Sequence, residues 1–228
     1  MKHSPQFTQT EFLVGFIYFL LQLMGIPELI LGVNFLMGNA LSEAMVNIVF
    51  FAINFAAVLI IFRKFLKANF HLACQYPWTA LRCAGIGFLF YLVGDSLFVI
   101  ITTIIDPSFY NLNDAAISQL AQTNYGLVTI GTVILVPIAE ECFYRGLIFR
   151  GLYDYSPVLA YLISMALFSL AHVLGYAYES DFGTIMLSFL QYLPAGFALA
   201  WSYRESCSIF TPILFHMAVN QNGMLLMR

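Results

Sequence analysis

The sequence predicts an all-α protein, a polytopic transmembrane helical bundle of about seven spans. Three observations carry that prediction. Of 228 residues, 61% are hydrophobic and only 9% are charged, whereas soluble domains are about 25% charged. The apolar residues fall into runs near the ~20 residues needed to cross a hydrocarbon core. The charges gather in the short gaps between those runs and at a handful of positions inside them. The same counts exclude other classes. No basic patch is present for nucleic acid, and Cys74, Cys83, Cys142 and Cys207 lack the paired spacing of a disulfide framework or a zinc finger.

The whole chain, 1–228, reads as one membrane domain without repeats. Span 1 is expected over 11–33, with a kink or break at Gly25-Ile26-Pro27-Glu28. It has no small-residue cleavage site behind it, so it reads as a retained span and not a removed signal peptide. Span 2 is expected over 43–62 and span 3 over 80–104. Between them, the basic and aromatic stretch from Arg63 to Trp78 reads as a segment lying along the interface. Span 4 is expected over 125–152, span 5 over 157–174, span 6 over 183–203 and span 7 over 207–226, with Ser156-Pro157 marking the turn between spans 4 and 5.

Lys and Arg set the expected orientation. Arg63, Lys64, Lys67, Arg82, Arg145, Arg150 and Arg204 belong to one side, whereas 36–42, 105–124 and 175–182 contain none and carry Asp106, Asp114, Glu179 and Asp181. The positive-inside rule then places the N-terminus and the 63–79, 153–156 and 204–206 connections in the cytosol, with Arg228 the one exception. The expected location is a cell membrane, crossed several times.

Span 4 contains Glu140-Glu141-Cys142-Phe143-Tyr144-Arg145 inside an otherwise apolar run. A carboxylate at the bilayer centre costs about 2.5–3.5 kcal/mol on insertion scales, so an ionisable residue there points to function. Glu141 and Arg145 are i,i+4 and predict a salt bridge on one helix face. Glu140 points about 100° away and has no local partner. The pattern assigns Glu141 and Arg145 to structural support and leaves Glu140 for chemistry.

Two further polar sites follow, Phe168 to His172 in span 5 and His216 to Asn220 in span 7. Glu140 stands sixteen residues before Ser156 and His172 sixteen after it, so an antiparallel pair of spans brings them to one depth. His216 and Asn220 share a helix face. This set suits hydrolysis of a carbonyl. A carboxylate stripped of water is a stronger base, which fits Glu140 as general base towards a water that His172 helps to hold. His216 and Asn220 are candidate donors to the oxyanion. If the reaction is metal-dependent, His172, His216 and Glu140 are the candidate zinc ligands, and the sequence leaves metal-free and metal-assisted water both open.

EExxxR, FxxxH and HxxxN, in this order on separate spans, resemble the CAAX protease and bacteriocin-processing family (CPBP, or Abi), which includes the type II CAAX prenyl endopeptidases. The similarity covers about 125–222. It implies an intramembrane endopeptidase, of glutamate or metalloprotease type, acting on a membrane-associated peptide or protein in the lipid bilayer. It implies Glu140, His172, His216 and Asn220 as catalytic residues and Glu141 and Arg145 as their support. Bacteriocin immunity, peptide processing and envelope regulation are the roles it suggests. Two competing readings stand beside the enzyme: an immunity or regulatory protein that binds without cleaving, and a transporter built on Glu28, Asp95 and Glu140.

Overall fold

The computed structural model describes residues 4–178 and 180–227; Lys2, Glu179 and Arg228 lie outside the described residues. Among these residues there are helices and no strands. We label the helices α1 (Gln9–Leu36), α2 (Glu43–Ile61), α3 (Arg63–Gln75) and α4 (Pro77–Ile105). These are followed by α5 (Leu112–Tyr153), α6 (Pro157–Tyr176), α7 (Phe182–Ser206) and α8 (Phe210–Leu226). Six of them, α1, α2, α4, α5, α6 and α7, are long and apolar enough to cross a membrane. The 17 residues of α8 rise about 26 Å, close to a seventh crossing. The chain is a multi-pass membrane protein.

Local signals explain most helix ends. Ser42, Asn111, Ser156 and Asp181 each accept a backbone N–H from the first turn of the helix that follows. Thr8 and Glu11 form a capping box at the start of α1. The second oxygen of Glu11 accepts from Lys64 N and Phe65 N at 2.9 and 3.0 Å, so one buried carboxylate caps α1 and α3 together. Asn69 of α3 in turn accepts from Ile209 N at 2.9 Å, which fixes the entry to α8.

The structure corrects three expectations. The proposed break at Gly25–Glu28 is absent, and α1 continues through Pro27. The 105–124 connection is largely helical: α5 begins at Leu112, and a non-helical Asn124 (φ −156°, ψ 75°) kinks it where span 4 was expected to start. Span 7 begins at Phe210 and not at 207, since Cys207 takes a left-handed conformation (φ 59°) to end α7. The interfacial stretch is the amphipathic helix α3.

Successive helices alternate in direction, which sorts the charges by end. Arg63, Lys64, Lys67, Arg82, Arg150 and Arg204 stand at one end, near the finish of α2, α5 and α7 and the start of α4. Glu43, Asp106, Asp114 and Asp181 stand at the other, where no described Lys or Arg is found. The core lies between α5, α6, α7 and α8, around Phe143, Tyr144, Phe168, Leu199 and Phe215.

Candidate active site

The centre of α5 is not a regular α-helix. Residues 131–135 and 142–149 are π-helical, and Val136–Glu141 is the α-helical piece between them. Val136 N–H bonds to Gly131 O and Arg150 N–H to Arg145 O, five residues back in each case. Such widened turns are concentrated at functional sites. Pro137 contributes to the first one. It has no N–H for the carbonyl of Thr132, and Asn220 on α8 supplies the missing donor, with Nδ2 2.8 Å from Thr132 O.

Glu140 and Glu141 leave the α-helical piece in different directions. Glu141 is fully buried and meets Arg145 at 3.1 Å. Arg145, equally buried, donates to Gly196 O on α7 at 3.2 Å and lies 4.3 Å above the Phe168 ring. Gly196 also eases the packing of α7 on α6, because a Cβ there would stand a tight 3.3 Å from Met165 Cα. The same Glu141 oxygen accepts from His216 Nδ1 at 2.8 Å. The i,i+4 spacing predicts the Arg145 partner of Glu141 but not this second one, which is 75 positions away.

Both imidazoles are oriented by their Nδ1 atoms. His172 Nδ1 faces Phe168 O at 2.8 Å, and a carbonyl can only accept, so Nδ1 carries the hydrogen. His216 Nδ1 donates to Glu141 for the same reason. In the neutral rings each Nε2 is then a lone pair. These two lone pairs are aimed at one atom: Glu140 Oε2 lies 3.9 Å from His172 Nε2 and 4.0 Å from His216 Nε2. That oxygen has no hydrogen-bond donor among the described residues. Oε2 itself is buried, but Glu140 keeps 23% of its side chain accessible, whereas Glu141 keeps none.

The accessible side of Glu140 borders a cavity of about 370 Å³ that also meets His172, His216 and Asn220. Further residues complete its walls; Phe168 and Asp95 were singled out in the sequence, whereas Tyr192 and Thr132 were not. Tyr192 packs on His172 with ring centroids 4.3 Å apart and planes tilted by 31°, and Phe168 packs beside it at 4.5 Å with a 52° tilt. Thr132, Asp95 and Asp114 also line it. The spacing of Phe168 four residues before His172 was a readable signal; that of Tyr192 was not. Glu28, by contrast, is exposed on the outside of α1 and away from this cavity.

Residues 122–221 match the family model described as type II CAAX prenyl endopeptidase Rce1-like. Over this segment, less than half of the chain, the protein is similar to the Rce1-like family. Neither a curated protein nor a solved structure matches the chain. The Rce1-like segment runs from just before the Asn124 kink to just past Asn220, and so contains every side chain gathered around Glu140. The coarse reading that follows is a CAAX-type protease embedded in a membrane. His172, His216 and Glu140 are the expected zinc set. Among the described residues, no group of three His, Cys, Asp or Glu side chains stands so as to hold a metal ion. The separations of 3.9 and 4.0 Å exceed the ~3.3 Å between tetrahedral ligands of zinc.

Proposed function

We propose that this protein is an intramembrane endopeptidase in which Glu140 activates the attacking water. The observation that carries the reading is Glu140, whose side chain borders the cavity while its buried, donor-free Oε2 lies 3.9 and 4.0 Å from the two Nε2 atoms. A water there donates one hydrogen to Glu140 and the other to His172. Glu140 takes the first proton as the water oxygen adds to the scissile carbonyl carbon. The C–N bond then breaks, and the proton passes from Glu140 to the departing amine. The products are a carboxylic acid and an amine, and Glu140 returns to its starting state.

The oxyanion of the tetrahedral intermediate falls to α8. Asn220 spends one amide hydrogen on Thr132 O and has a second for the oxyanion. His216 adds another donor when Nε2 is protonated, and Glu141 holds the ring in place by its opposite nitrogen. Substrates on this reading are peptide segments of membrane-associated proteins, with peptide processing or envelope regulation as the cellular role.

The test compares membrane-protein termini and released peptides, by mass spectrometry, in cells expressing wild type or Glu140→Gln at equal level. Specific termini should disappear in the variant, and those termini identify the substrate. If the two profiles coincide while deletion of the gene has a phenotype, the non-cleaving immunity reading replaces this one.

A further inference from the structure

One face of α7 reaches the start of α5. Ser188, Gln191 and Tyr192 stand at i, i+3 and i+4, the spacing that gathers side chains on one side of a helix. Ser188 Oγ accepts from Leu112 N at 3.4 Å, and Gln191 Oε1 accepts from Asn111 Nδ2 at 2.9 Å. The Tyr192 hydroxyl accepts from Asn113 Nδ2 at 3.0 Å. Its own hydrogen has two acceptors within reach, Asn111 Oδ1 at 3.3 Å and Asp114 Oδ1 at 3.4 Å. Asn111 is the N-cap of α5, so the hydroxyl is fastened to a turn that the cap already orders.

The ring of the same side chain meets the candidate active site. It packs on His172 with centroids 4.3 Å apart. His172 occupies the last α-helical turn of α6, directly before the 3₁₀ turn Leu174–Tyr176. Its Nδ1 bonds to Phe168 O, and the Phe168 ring packs beside it, both within α6. Those two contacts fix the imidazole relative to its own helix. Tyr192 adds a contact from a second helix, and its hydroxyl ties that contact to a third. The placement matters because His172 Nε2 stands 3.9 Å from Glu140 Oε2, and displacing a reacting group by about 1 Å can cost about 100-fold in rate.

We propose that Tyr192 is a positioning residue for His172: its ring holds the imidazole with Nε2 towards Glu140, and the bond from Asn113 holds the ring. The role in a reaction rests on the protease reading; the hold on His172 rests on the contacts alone.

The first measurement is therefore independent of cleavage. Diethyl pyrocarbonate acylates the free nitrogen of a neutral imidazole. The full-length protein in detergent is treated with it at neutral pH, and modification of His172 is followed by mass spectrometry relative to exposed His71. Tyr192→Phe keeps the ring and removes its tether. It should raise the relative rate at His172 by about fivefold, the population shift that one lost hydrogen bond allows. Asn113→Ala removes the other partner and should do the same. The double variant should exceed neither single variant, because both break one bond. A hydroxyl that only ties helices together would lower Tm and leave the His172 rate at the wild-type value, and that result overturns the proposal.

The second measurement counts, in cells, the termini that Glu140→Gln abolishes. They should fall by about 10- to 100-fold in Tyr192→Leu, and the conservative Tyr192→Phe should retain most of them. Wild-type termini in Tyr192→Leu overturn the positioning role. A fall there with an unchanged His172 rate also overturns it and makes Tyr192 a substrate contact instead. Tyr192→Phe and Asn113→Ala carry the test if Tyr192→Leu does not insert. If no terminus depends on Glu140, the protease reading falls, while the labelling rates still decide whether Tyr192 holds His172.

Discussion

Helices α4 and α5 are both long enough to cross a membrane, yet 50% of the apolar stretch of α5 is buried in the bundle against 6% for α4. The two solve different problems. On α4, residues such as Leu89, Val93, Ile100 and Ile104 are exposed to the surroundings, and in a membrane they meet lipid. On α5, the centre is enclosed by protein, and there the chain places Glu140, Glu141 and Arg145. Enclosure is what makes those charges tolerable, because Arg145, Gly196 O and His216 can be held at fixed distances around Glu141. The comparison shows that hydropathy identifies a span but not its role; the role follows from what surrounds the few polar atoms.

Removing one member of the enclosed set should have the largest effect on folding. Arg145→Leu leaves Glu141 as a buried unpaired charge and should lower stability by about 3–5 kcal/mol, read as a fall in Tm in detergent. A variant that melts like wild type would contradict the central place given to this ion pair. His172→Ala should lower the rate of peptide release by about 100-fold or more with little change in Tm, since that ring bonds only to its own helix. An equal loss in both measurements would make it a packing residue.

A smaller effect sharpens the account of the π-turns. Asn220→Ala strips Thr132 O of its donor and should cost about 1–3 kcal/mol. Adding Pro137→Ala restores a backbone N–H nearby, so the double variant should recover part of the loss. Simple additivity of the two would remove the link between Pro137 and Asn220. At the low end, Glu28→Gln on the outside of α1 should change stability by less than about 0.5 kcal/mol and leave peptide release unchanged. Dependence of activity on Glu28 would revive the transporter reading.

Much of this was legible in the sequence because hydropathy and i,i+4 spacing are local. The apolar runs locate the spans, and the rotation between adjacent residues separates Glu140 from Glu141. The turn at Ser156-Pro157 brings Glu140 and His172 to one depth. What stayed hidden is non-local or breaks the regular period. The π-turns interrupt the 3.6-residue repeat on which facing arguments depend. The bond from His216 to Glu141 and the packing of Tyr192 on His172 join helices distant in sequence. The helix at 112–124 is polar enough, with Asn113, Asp114, Gln119, Gln122 and Asn124, to read as a connection, and Asn113 and Asp114 line the cavity.

The central claim is that two adjacent glutamates divide the labour, Glu140 acting on water and Glu141 holding His216 and Arg145. The measurement that tests it most directly sets Glu140→Gln beside Glu141→Gln, recording both peptide release and Tm for each. The account predicts that Glu140→Gln loses release by about 100- to 10,000-fold at an unchanged Tm, whereas Glu141→Gln loses release and Tm together. Cleavage that survives Glu140→Gln, or a Tm that falls only in that variant, would contradict it.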